Sequence, residues 1–234
     1  MTQKNTTPGA GAPSTSSETT TKLTRALLAC GVAAGLLFIV VGLLQAFTRD
    51  GFDLRRHPLS LLSNGDLGWV QISNFVVSGL LFATAAVGMR RVLRPGRGGT
   101  WGPRLIGAVG VGMIAAGVFV ADPADGFPPG TPPGRPDALS WHGSLHFIAA
   151  GVAFLALIVA CFVFARRFAA RRQRGWAAYS AATGVVFFAA WSALFAWPDN
   201  DGVNVAFAAA ALLGVGWVSV MAARLMTELP DAEG

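Results

Sequence analysis

Charge is missing where an ion-driven transporter would need it. None of the long apolar stretches in this chain carries a charged residue near its middle, and ion-coupled carriers and proton pumps usually do. Cysteine is almost as scarce. Cys30 and Cys161 are the only two, both fall inside apolar runs, and neither suggests a disulfide, so packing is their expected role. No glutamate lies between the paired histidines His142 and His146 in the manner of a zinc metalloprotease. Nothing like a nucleophile elbow surrounds Ser60 or Ser63. Charged residues make up 13% of the chain and hydrophobic ones 53%, with a mean hydropathy of +0.53, far from the balance of an ordinary soluble domain.

What the chain has instead is apolar length. A hydrocarbon core of roughly 30 Å asks for about 20 uncharged residues per helix. Six stretches qualify, at about 26–47, 69–89, 105–121, 141–165, 176–197 and 203–223, the third being the shortest. Short connections make neighbouring helices antiparallel. The expected fold is therefore all-α, a six-helix transmembrane bundle of up-and-down topology spanning 23–227. Residues 1–22, rich in Thr, Ser, Pro and Gly, are expected to form a disordered cytoplasmic tail, and 228–234 a short second one. The first span is too long in its apolar core, and too poor in cleavage signals after it, to be a signal peptide.

Arginine placement orients the bundle. Of the 18 basic residues, only Arg49, Arg55, Arg56 and Arg135 fall in the first, third and fifth connections. Clusters at Arg90–Arg104 and Arg166–Arg174 fill the second and fourth. The positive-inside rule then puts both termini in the cytoplasm of a cell-membrane protein. The net charge of +6 is read as topology signals and contacts with anionic lipid heads, with no nucleic-acid surface. Nothing in the sequence identifies a protein partner.

The remaining polarity gathers on the outer side. His57, His142 and His146 are the only histidines, and Asp66, Asp122 and Asp125 lie near them. Two residues four apart share a helix face, so His142 and His146 can point together, at a helix N-terminus where the neutral ring is favoured. Two arrangements fit, beside a third reading of the cluster as pH-sensing or proton-handling. In one, Asp122 accepts hydrogen bonds from histidine and serine and staples spans three and four beneath a Pro/Gly-rich flap over 122–140. In the other, His57, His142 and His146 ligate Zn²⁺, Asp122 orients or activates a bound water, and Ser60 steadies an oxyanion. Asn74, in the first turns of span two, is expected to make one interhelical hydrogen bond. Close helix contacts are expected at Gly31 and Gly35, at Ala108 and Gly112, and along Ala177–Ala182.

Three stretches together resemble a bacterial membrane family. They are His57-Pro58-Leu59-Ser60-Leu61-Leu62-Ser63-Asn64-Gly65-Asp66-Leu67-Gly68-Trp69, Gly117-Val118-Phe119-Val120-Ala121-Asp122-Pro123, and His142-Gly143-Ser144-Leu145-His146. The family is the domain of unknown function 998 group, and the resemblance covers about 26–226. It implies six spans, an Asp-Pro after the third and histidines opening the fourth, and carries no activity. A looser likeness joins Ser60, Asp122, His142 and His146 to the alkaline ceramidase and adiponectin-receptor superfamily, which hydrolyses lipid amides around zinc. Those proteins have seven spans and place their paired histidines in the last, so the analogy is one of site composition. Two functions follow as expectations: a non-catalytic multi-pass protein whose outer cluster is structural or sensory, and a zinc-dependent membrane hydrolase of lipid amides or esters.

Overall fold

The computed structural model describes residues 15–96 and 98–230. Six helices follow one another: α1 (Thr15–Thr48), α2 (Gly68–Leu93), α3 (Trp101–Val118), α4 (Trp141–Ala170), α5 (Arg174–Ala196) and α6 (Asp201–Met226). A 3₁₀ turn, Leu59–Ser63, lies between α1 and α2. All six helices are long and apolar enough to cross a membrane, and there is no strand among the described residues. Each helix packs on the next, and α6 closes back on α1. The result is a ring of helices.

Apolar side chains cover the lipid-facing surface as well as the core, which is why no helix reads as amphipathic by its sequence. Leu36, Val40 and Leu44 on α1 and Val152, Leu155 and Val159 on α4 are exposed. Trp69, Trp101, Trp141 and Trp197 are each more than 60% exposed at helix ends, where indole rings sit well at a membrane interface.

Contacts between helices rely on small residues. A Cβ added at Gly31 would meet Ala85 of α2 and Ala222 of α6, and Ser219 of α6 donates to the Gly31 carbonyl at 2.8 Å. Gly112 faces Ala153 of α4. The α2–α3 crossing depends on a pair the spacing did not single out, since a Cβ at Gly79 would lie 2.5 Å from the Gly110 carbonyl oxygen and one at Gly110 equally close to that of Gly79. Asn74 donates to the Phe38 carbonyl of α1 at 3.3 Å, the interhelical bond expected of it. Gln71 belongs to the same α1–α2 seam, accepting from Gln45 at 2.8 Å.

Three boundaries differ from the sequence reading. Helix α1 reaches back to Thr15, so 15–22 is helical where composition suggested disorder. Extending an existing helix costs far less than starting one, and Glu18 pairs with Lys22 one turn on. The rest of the expected tail, 1–14, lies outside the described residues, as do Arg97 and 231–234. The segment just after α6 is anchored to the bundle. Glu228 accepts from Arg171 at 2.9 Å and Arg167 at 3.3 Å, and the Pro230 carbonyl accepts from Arg25 of α1. The third difference matters most: α3 starts earlier than expected, at Trp101, and stops at Val118, leaving 119–122 non-helical. Its 18 residues rise about 27 Å at 1.5 Å each, short of a full hydrocarbon core.

Candidate functional site

The early end of α3 creates a chemical problem. The last carbonyls of a helix have no partner inside it, and at membrane depth no water is at hand to supply one. The histidines of α4 supply the missing donors. His146 Nδ1 lies 2.8 Å from the Phe119 carbonyl oxygen and 3.0 Å from that of Ala116. His142 Nδ1 lies 3.0 Å from the Val120 carbonyl oxygen. A carbonyl can only accept, so both rings carry their proton on Nδ1 in these bonds. The next carbonyl, of Ala121, accepts from Asn64 at 3.0 Å. The four-residue spacing of the histidines thus matches the spacing of the orphaned carbonyls.

Asp122 returns the service to α4. Its Oδ2 accepts from the Ser140 backbone N–H at 2.8 Å and its Oδ1 from the Ser140 hydroxyl at 2.6 Å. That hydroxyl in turn accepts from Gly143 N–H at 3.0 Å, making Ser140 the N-cap of α4. A negative carboxylate beside a helix N-terminus is also favoured by the helix dipole. Residue 143 must be glycine here, because a Cβ would overlap the Asp122 carboxylate. The His142 ring stands 3.8 Å from Asp122 Oδ1, too far for a hydrogen bond. Sequence reasoning missed Ser140, although its place just before Trp141, at the start of an apolar run, is a recognisable capping signal.

The first loop is tied down by the same kind of bond. His57, 1% exposed, accepts from Asp53 N–H at Nδ1 and donates from Nε2 to the Asp125 carbonyl at 3.0 Å. Its ring packs against Phe52 and Phe127. Phe127 is fully buried and gathers Leu59, Leu61 and Leu62 into a small second core under the flap. The flap is folded on itself, with Asp125 N–H donating to the Gly134 carbonyl at 2.8 Å. Arg49 donates to the Leu62 and Asn64 carbonyls and stands over the Phe127 ring. Burial lowers its pKa, opposed by the Asp66 charge. Hydrogen bonds from the Arg55 side chain and backbone hold the Asp53 carboxyl below its usual range.

The donor set for zinc does not assemble. Among the described residues no three of His, Cys, Asp and Glu are grouped so as to hold a metal ion. His57 has both ring nitrogens committed to backbone groups, and the Nδ1 atoms of His142 and His146 to carbonyls. Ser60 sits in the 3₁₀ turn, half-buried and facing a cavity.

That cavity is the other feature of this end. It has a volume of about 490 Å³ and lies inside the helix ring, within the usual size of small-molecule sites, roughly 300–1,000 Å³. Phe38, Phe75, Met113, Phe154, Phe187 and Phe207 make its wall from all six elements. Arg56, Ser60, Asp125, Arg135 and Pro198 ring its mouth at the loop end. Asp122 and His146 also reach it.

Six apolar spans in a closed ring make this a multi-pass membrane protein. It belongs to the family described as "Protein of unknown function (DUF998)", whose model matches residues 32–224. No curated protein and no solved structure matches the chain.

Proposed function

We propose that this protein is a membrane-embedded binding protein that admits an amphiphilic molecule to its helix ring from the histidine end. The observation that carries the reading is the apolar cavity of about 490 Å³ with a polar, charged mouth. Such a gradient from charge to hydrocarbon matches a molecule with a polar head and an apolar body. The polar cluster serves this site by holding its rim. His142, His146 and Asp122 lock α3 to α4, and His57 and Arg49 lock the first loop to the flap.

The distribution of arginines supports placing both termini in the cytoplasm, which turns the mouth of the cavity outward. An outward mouth suits a sensory role, with occupancy altering how the ring packs. The hydrolytic alternative keeps Ser60 and Asp122 on the cavity wall. Its acid is engaged with Ser140 and its histidine Nδ1 atoms with carbonyls, so binding without chemistry is the better supported reading.

A photoactivatable long-chain alcohol, bearing a diazirine in its chain, tests the proposal on protein in lipid nanodiscs. Labels should map to Phe154, Trp191 and Phe207 on the cavity wall and fall in Ala211→Phe, which fills the cavity. Labels confined to lipid-facing positions such as Ile148, Val152 and Leu155, unaffected by Ala211→Phe, would overturn it.

A further inference from the structure

The wall of the cavity is not uniformly apolar. His146 is 2% exposed and forms part of it. Its Nδ1 faces α3 and donates to two carbonyls. The opposite edge of the ring, Nε2, makes no hydrogen bond among the described residues and is not wholly sealed by the atoms around it. The tautomer follows from the bonds at Nδ1: the ring of neutral His146 has its proton there, so Nε2 presents a lone pair. An acceptor facing an apolar cavity is costly to leave unmet, and no described residue bonds to it.

Resting on the cavity reading above, we infer that the bound molecule is a neutral lipid alcohol whose hydroxyl donates to His146 Nε2. The chemistry disfavours ether, ester and ionised heads. An ether or ester oxygen can only accept, and would face the lone pair without a bond. An ionised head would have to leave water for an apolar wall, and Arg56 and Arg135 would hold an anionic one at the mouth. A hydroxyl is neutral, donates, and costs little to desolvate once bonded.

Depth agrees with this. His146 is five residues into α4, about 8 Å below its first residue at 1.5 Å per residue. From there to Leu157 the α4 wall is apolar, about 16 Å of it at the same rise. A single chain directed toward the arginine end fits that lining, with its head beneath the flap and the 3₁₀ turn.

The experiment is displacement of the diazirine alcohol by 1-dodecanol or by its methyl ether, in nanodiscs. The ratio of the two affinities is compared between wild type and His146→Asn, which cancels their different partition into lipid. The asparagine amide can still donate to the Ala116 and Phe119 carbonyls, but has nothing at the Nε2 position. The alcohol should be favoured about fivefold in wild type relative to His146→Asn, as one neutral hydrogen bond allows. His146→Gln, whose amide reaches the Nε2 position, should recover part of the preference.

An equal ratio in both proteins overturns the inference and leaves the cavity reading standing. If neither compound displaces the probe, both readings fall. Should His146→Asn not fold, nitrogen-15 spectra of wild-type protein labelled at its three histidines give the answer directly. Dodecanol should shift one lone-pair nitrogen resonance and the ether should not; identical spectra with either compound overturn the inference.

Discussion

Both ends of this bundle bury ionisable side chains, and they settle them differently. At the histidine end, neutral rings of α4 and the carboxylate of Asp122 bond to backbone groups and to one serine. At the arginine end, Arg167, only 3% exposed, is matched with a charge of opposite sign, as Glu228 meets it at 3.3 Å and Arg171 at 2.9 Å. The difference lies in where the helices stop. Helix α3 ends short at the histidine end and leaves carbonyls in need of donors. Helices α4 and α6 run on to Ala170 and Met226 at the other end, so their side chains, rather than their backbones, carry the polarity to be satisfied.

The comparison can be broken by removing one partner at each end. Glu228→Ala takes away the carboxylate facing Arg167, and losing one member of a buried pair costs roughly 3–5 kcal/mol. Glu228 is 17% exposed and Arg171 44%, so about 3 kcal/mol is expected, read as a fall in the unfolding midpoint in mild detergent. His146→Leu leaves the Ala116 and Phe119 carbonyls without their donor, for about 2 kcal/mol by the same measurement. His146→Asn should recover most of that loss. The two ends share no residue, so Glu228→Ala combined with His146→Leu should be additive within about 0.5 kcal/mol. A larger coupling would mean that the ends communicate through the ring.

Smaller effects sharpen the picture of the histidine end. Ser140→Ala removes the α4 N-cap and a donor to Asp122, and about 1 kcal/mol is expected from equilibrium unfolding. The smallest effect concerns pH. The folded pKa of Asp53 is depressed by its bonds with Arg55, so its contribution is present above the ordinary aspartate value of about 3.9 and is lost as pH falls through the lower folded value. The midpoint difference between wild type and Asp53→Asn should therefore be constant near neutrality and fall away once pH drops below the ordinary aspartate value, a change of a few tenths of a kcal/mol at most. A difference that instead grew on acidification would contradict the depressed value.

Much of this architecture is legible in the sequence. Six spans follow from apolar length alone, and Asn74 was placed correctly as an interhelical donor. The sequence drew attention to the histidines, but it did not give their hydrogen-bond targets. A reading that treats side chains as the only chemistry looks for a metal or a carboxylate to satisfy them. In the structure, the partners of His142 and His146 are main-chain carbonyls exposed by the early stop of α3, and apolar periodicity through Val118-Phe119-Val120-Ala121 gives no sign of that stop. Pro123 was a usable clue, because proline biases the preceding residue away from helix. Ser140 was legible as a cap and went unread. The Gly79–Gly110 contact lies beyond the reach of spacing, because it joins residues on two helices whose rotation is set by the whole ring.

The sequence by itself determined the number of spans, the arginine asymmetry and the gathering of polar residues at one end, because each depends on the transfer of side chains between water and hydrocarbon and is nearly independent of neighbours. Only the tertiary structure decided what those polar groups touch. Hydrogen bonds are short and directional, so whether a histidine finds a metal, a carboxylate or a carbonyl depends on helix ends, rotations and loop paths within an ångström or so. The cavity is of the same kind. Most residues of its wall read as ordinary core in sequence, and only the closure of α6 onto α1 leaves a space between them.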